Sequence, residues 1–113
     1  MRILGFCKKW DKLSGGAFTT FRLPRRDRDW VKGEHVQVVL KPRSKEREIL
    51  GEAVIIAKDH FWIDEINNLM AIIDGFNNAQ DMRGWLLKSH NPTRLDHEPL
   101  NRLLVAWCSN NST

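Results

Sequence analysis

Thr20 and Arg22 are residues whose types suit hydrogen bonding to a base, a phosphate or a carboxylate. A threonine hydroxyl both donates and accepts, and an arginine offers a planar fork of donors that fits a phosphate, a carboxylate or the edge of a base. As a nucleophile that hydroxyl is weak and needs a base beside it. Thr20 and Arg22 fall in Phe18-Thr19-Thr20-Phe21-Arg22-Leu23, a run of β-branched and aromatic residues whose alternation puts Phe18, Thr20 and Arg22 on one face of a strand. Glu52, in Leu50-Gly51-Glu52-Ala53, is the carboxylate expected to face them from a neighbouring strand, or to serve as a salt-bridge partner. The alternative is that Thr20 and Arg22 are ordinary strand residues, with Arg22 paired to an acid such as Asp27 or Glu52.

The excess positive charge is confined to one segment. The chain of 113 residues carries 18 Lys and Arg against 14 Asp and Glu, a net charge of +4. Arg22 to Arg47 holds nine basic and four acidic residues, whereas the remainder is nearly balanced at nine and ten. A localised basic surface of this kind is the electrostatic footprint of a polyanion-binding protein. Arg25, Arg26 and Arg28 on one turn, with Lys41, Arg43 and Lys45 on the next, are the candidates to hold a nucleic-acid backbone, since the arginine fork suits phosphate. Trp10, Trp30 and Trp62 are candidate stacking platforms for unpaired bases, Trp30 foremost because charge surrounds it, while Trp85 and Trp107 fit apolar stripes of the core.

Several chemistries lack their residues. His35, His60, His90 and His97 do not have metal-ligand spacing, so no metal is expected. There is no Walker loop, no G-x-G-x-x-G and no G-x-S-x-G, and no cofactor is expected. Cys7 and Cys108 form no C-x-x-C and become neighbours only if the first and last strands pair. No apolar run is long enough to cross a bilayer, and Met1 to Phe6 is too short for the apolar region of a signal peptide, so a cytoplasmic setting is expected.

The elements that must position these residues follow from periodicity and punctuation. Arg2 to Cys7 reads as a strand, Lys8 to Leu13 as a helical turn closing at Ser14-Gly15-Gly16, and Phe18 to Leu23 as a strand broken by Pro24. His35 to Leu40 and Arg47 to Ala57 read as further strands, the second bent at Gly51. A helix capped by Asp64 carries Ile66, Leu69, Met70 and Ile73 to a stop at Gly75. A second, capped by Asn77 or Asn78, carries Met82, Trp85 and Leu86. Asn91 to Glu98 reads as a loop and Leu100 to Trp107 as the closing strand. This order predicts a single α+β domain over residues 1–108, built as a small, partly closed barrel, with 109–113 as a polar tail.

Lys12-Leu13-Ser14-Gly15-Gly16-Ala17-Phe18-Thr19-Thr20-Phe21-Arg22 resembles the signature of the ASCH domain (activating-signal-cointegrator homology), a branch of the PUA-like superfamily. In that signature a helix ends in glycine, and the next loop carries Lys, two unspecified residues, Thr, one more residue and Arg. Trp30-Val31-Lys32-Gly33-Glu34-His35-Val36-Gln37-Val38 resembles the family's turn into its next strand. Gly75-Phe76, then an acidic helix with Trp85 and a final apolar strand, is similar to its second half. The resemblance spans nearly the whole chain and implies a PUA-like mixed β-barrel of about five to six strands with two to three flanking helices. Family members resembling the bacterial acetylcytidine amidohydrolase use the motif lysine with the threonine and a glutamate to cut an acyl group from a modified nucleoside. Here Ala17 stands at the lysine position, and Lys12 lies beyond the glycine turn, placed to substitute only if the loop folds back.

The expectation is therefore a non-catalytic module that binds RNA or other single-stranded nucleic acid. Its cleft beside Thr20 and Arg22 would take a nucleotide, with Arg25, Arg26, Arg28, Trp30, Lys41, Arg43 and Lys45 around it. The alternatives are a nucleoside-directed hydrolase or ribonuclease acting through Thr20, Arg22 and Glu52, and a protein-interaction domain of a regulatory complex.

Overall fold

Five apolar-patterned segments pair into one mixed sheet in the computed structural model, which describes residues 1–108. The strands are β1 (Arg2–Phe6), β2 (Ala17–Arg22), β3 (His35–Leu40), β4 (Glu48–Phe61) and β5 (Leu100–Trp107). Their spatial order is β1-β3-β4-β5-β2, with β1 parallel to β3 and all other neighbours antiparallel. Helices α1 (Asn68–Asp74), α2 (Ala79–Ser89) and α3 (Pro92–His97) are inserted between β4 and β5, and 3-10 turns occupy Asp11–Ser14 and Ile63–Glu65. Among the described residues no helix is long and apolar enough to cross a membrane. The tail read at 109–113 lies outside the described residues.

The sheet is open, which corrects the expected barrel. β1 and β2 are its two edges, yet its curl brings them together: the Phe6 and Phe18 rings pack edge to face with centroids 5.7 Å apart. Arg22 Nη2 donates to the Gly5 carbonyl at 2.7 Å, occupying an acceptor that a closing strand ladder would use. Side chains rather than backbone pairing therefore seal the gap. Whether Cys7 and Cys108 meet, which the sequence leaves open, is answered by the same order: β1 and β5 are not neighbours, and both thiols are free.

Alternation along the strands divides the core in two. Leu4, Phe18, Val36, Val38, Ile55, Leu103 and Val105 fill the inside of the curl. Phe21, Leu100 and the helix residues Met70, Ala71, Met82, Leu86 and Leu95 fill the space between sheet and helices. β4 runs past the expected Ala57 to Phe61 because β5 supplies partners for Lys58 to Phe61, in register with Leu103 to Leu100. It bends at Gly51, whose φ of 150° accompanies a register shift opposite Val38/Val39.

The helices differ from the sequence reading at their starts. Asn67, and not Asp64, caps α1 by accepting from the Met70 N–H, and Asn78 caps α2 by accepting from Asp81 N–H. α1 lasts two turns, so the face it buries is Met70, Ala71 and Asp74, while Leu69, Ile72 and Ile73 stay exposed. Asn91 to Glu98 holds a helix rather than a loop: Asn91 caps it and Pro92 takes the first turn, where its missing N–H costs nothing.

Gly75 ends α1 in the left-handed region at φ 106°, ψ 10°, its N–H reaching the Ala71 and Ile72 carbonyls. Gly75→Ala is expected to lower the unfolding free energy by about 1–2 kcal/mol. Gly84→Ala, inside α2 with nothing near its added methyl, should instead gain up to about 1 kcal/mol. Urea denaturation of the two variants tests the contrast.

Candidate functional site

The first glycine-ended turn folds back under β2 and makes the floor of a cleft. The 3-10 turn Asp11–Ser14 buries Leu13 and brings Lys12 Nζ to 3.3 Å from Asp74 Oδ2 at the end of α1. Thr19 Oγ1 donates to Asp74 Oδ1 at 2.7 Å. On the opposite face of β2, Arg22 Nε donates to Thr20 Oγ1 at 3.0 Å while its Nη2 holds the Gly5 carbonyl. Lys12, Thr20, Arg22 and Asp74 line a hollow of about 250 Å³, with Trp10 and Trp85 among its other walls. That volume is below the usual range for drug-sized ligands and suits one group the size of a base or small nucleoside.

Burial shapes the electrostatics. Desolvation pulls the Lys12 ammonium below its ordinary value despite the attraction of Asp74, and it raises the Asp74 carboxyl despite Lys12 and the Thr19 hydrogen bond. Arg22 is brought down to about 10, mainly by burial, and stays charged at neutral pH. Among the described residues Arg22 enters no salt bridge: Asp27 pairs with Arg25 at 3.0 Å and Glu52 with His35 at 2.7 Å. A cluster of perturbed titratable groups lining a hollow is the pattern of a functional site.

Aromatic rings form the outer wall. The Trp10 ring centroid lies 5.1 Å from that of Phe76 and 5.3 Å from that of Trp85, and Lys8 Nζ sits 3.8 Å from the Trp10 ring. The walls of the hollow thus combine stacking surface with two cations, Lys12 and Arg22, against the one carboxylate of Asp74, while Lys8 lies outside them over Trp10. A larger hollow of about 480 Å³ beside Leu50 and Trp107 has no buried charged group on its walls.

The sequence-derived residues fall into three groups. Thr20 and Arg22 line the cleft as expected, and Lys41 and Arg43 border a shallow groove that shares Gly5, Phe6 and Cys7 with it. Contact there is close: a side chain on Gly5 would meet Pro42 Cγ at 2.8 Å. Arg25, Arg26, Arg28 and Lys45 stand outside the cleft walls. The turn of the three arginines is fastened elsewhere, with Arg28 3.7 Å from Glu34 and Asp29 accepting from Lys58 Nζ at 2.9 Å and Asn101 Nδ2 at 2.8 Å.

Trp30 is corrected outright: it is 3% exposed within the inner core, under the Arg2 guanidinium at 4.5 Å, and offers no stacking face. Of the two roles read for Glu52, facing the cleft is ruled out because β5 separates β4 from β2, and the salt-bridge role is the one realised, with His35 as partner. The carboxylate in the cleft is Asp74, which sequence reasoning missed. Its signal was positional, an acid just before the glycine that ends a helix. Trp85, read as core, forms part of the cleft wall, and Trp107 is partly buried against the inner core.

No family model, curated protein or solved structure matches this chain.

Lys12→Met leaves the Asp74 carboxyl desolvated without its cation, and a carboxyl whose folded pKa is raised confers stability below its unfolded pKa and loses it as pH rises through the folded value. Measured as a difference from the parent, the stability of Lys12→Met should therefore fall between acid and neutral pH. Adding Asp74→Asn should flatten that slope. A single-variant difference that does not change with pH would contradict the coupling.

Proposed function

We propose that this chain is a nucleic-acid-binding module of ASCH/PUA-like type that holds one unpaired base or nucleoside of an RNA strand in the cleft of Thr20, Arg22, Trp10 and Trp85. The observation that carries the reading is Arg22: a charged guanidinium on a cleft wall, engaged by a hydroxyl and a carbonyl but by no carboxylate among the described residues. Its remaining N–H donors suit the oxygens of an anion or a base edge. The flanking indoles suit stacking. Lys8 beside Trp10, and Lys41 and Arg43 beyond the Gly5–Cys7 wall, lie where a backbone leaving the cleft on either side would need cations. RNA is favoured over duplex DNA because a small hollow admits an exposed base and not a paired one. The strand-turn-strand order with helices before the last strand supports the ASCH-like reading, and a cytoplasmic setting belongs to the same proposal.

A second reading is favoured by one observation, the return of Lys12 into the cleft. Although Ala17 stands at the family lysine position, Lys12 lies beside Asp74 with its ammonium depressed by burial, which suits a base able to take a proton. With Thr20 nearby, the arrangement would suit hydrolysis of an acylated nucleoside.

Fluorescence anisotropy with a short single-stranded RNA tests both readings. Binding should weaken steeply with added salt, and Trp10→Ala should cost about 1–3 kcal/mol. Arg22→Lys should weaken binding while preserving the net charge. Salt-independent binding, or full affinity in both variants, would sink the proposal. Turnover of acetylcytidine that disappears in both Thr20→Ala and Lys12→Met would move the assignment to the hydrolase.

A further inference from the structure

We propose that His35, Glu52 and Cys108 form a binding site for a zinc-class divalent cation on the solvent side of β3, β4 and β5. The three residues come from distant parts of the chain and are assembled by sheet register. Each alternates away from an inward-facing neighbour: His35 from Val36, Glu52 from Ala53, and Cys108 from Trp107, which packs against the inner core. β3, β4 and β5 are consecutive in the sheet, and the Cys108 N–H donates to the Glu52 carbonyl at 3.0 Å, which continues the β4/β5 pairing past Trp107. The site therefore rests on a backbone frame and not on a loop.

The donor atoms lie close together. His35 Nδ1 is 2.7 Å from Glu52 Oε2 and 3.8 Å from Cys108 Sγ, and Cys108 Sγ is 3.9 Å from Glu52 Oε2. A tetrahedral cation with bonds of about 2.0–2.3 Å holds its nitrogen, oxygen and sulfur donors roughly 3.3–3.6 Å apart. The two sulfur separations need to shrink by only a few tenths of an ångström. The nitrogen–oxygen separation needs to open by roughly 0.6 Å as the cation replaces the hydrogen bond between them.

Imidazole, carboxylate and thiolate together are a borderline donor set that favours zinc over magnesium or calcium. Their meeting within 4.8 Å is independent of the cleft residues. On binding, the Cys108 thiol gives its proton to solvent, and His35 ligates through Nδ1 in the tautomer that carries its proton on Nε2. The fourth position opens to water, because His35 and Glu52 are both exposed.

Cobalt(II) titration of the full chain, kept reduced by a phosphine, reads the site directly. The expected result is an equimolar complex with a thiolate-to-cobalt charge-transfer band that zinc displaces. Cys108→Ser should abolish the band and Cys7→Ser should keep it. His35→Ala and Glu52→Ala should each weaken cobalt binding by at least about tenfold, the lower end of what even an outer-shell partner contributes. All three ligands are partly or largely exposed, and circular dichroism of each variant verifies its fold. Absence of the band in the parent, its persistence in Cys108→Ser, or unchanged affinity in both His35→Ala and Glu52→Ala would overturn the proposal.

Discussion

An ammonium and a carboxylate held out of water beneath one strand set the terms for the rest of this molecule. Lys12 and Asp74 are both largely buried, and neither would be tolerated there alone. Their pairing ties the first turn of the chain to the end of α1, and Thr19 ties both to β2. Because the tie runs beneath β2, it fixes where the opposite side of that strand presents Thr20 and Arg22. The cleft is thus defined by a polar contact at its base and by aromatic packing at its rim, with the open edge of the sheet between them.

The open edge explains the unusual state of Arg22. In a closed barrel the Gly5 carbonyl would be spent on a neighbouring strand. Here it accepts from a guanidinium, which holds that cation in a poorly hydrated position with no salt bridge among the described residues, favoured only by the more distant charge of Asp74 and the carbonyl itself. Poor hydration strengthens whatever charge-assisted hydrogen bonds the group makes with a ligand. Asp29 does corresponding work on the far loop, where burial opposes its ionisation but hydrogen bonds from Lys58, Asn101 and the Arg25 and Trp30 amides hold its carboxyl down at about 2. That loop is fixed by its own counter-charges, which is why so few of its arginines stand ready for a polyanion.

Much of the sheet was legible in the chain. Alternation placed β3 and β5 at their observed limits and divided Thr20 and Arg22 from Thr19 and Phe21. What alternation does not encode is which strands lie side by side, so it could not choose between the two readings of Glu52, of which β5 denies the cleft and His35 supplies the salt bridge, and it gave no sign of Asp74. Charge around Trp30 suggests exposure, but the Arg2 and Arg25 guanidinium groups cover the indole while pairing with Glu34 and Asp27. The stretch Asn91 to Glu98 reads as a loop by sequence, but its Pro92 falls in the first turn of a helix, where proline breaks nothing. Linear spacing was equally blind to His35, Glu52 and Cys108, whose proximity exists only once three strands are in register.

β5 is the latest described strand in the sequence, yet it lies in the interior of the sheet, with β4 on one side and β2 on the other. β2 consequently has no backbone partner until all three helices have been synthesised and β5 has emerged. During translation the cleft-bearing strand must wait as an unpaired edge, so the cleft is completed only once β5 docks beside it. The rate of that long-range docking, rather than of any local hairpin, then governs how soon the cleft forms in a nascent chain.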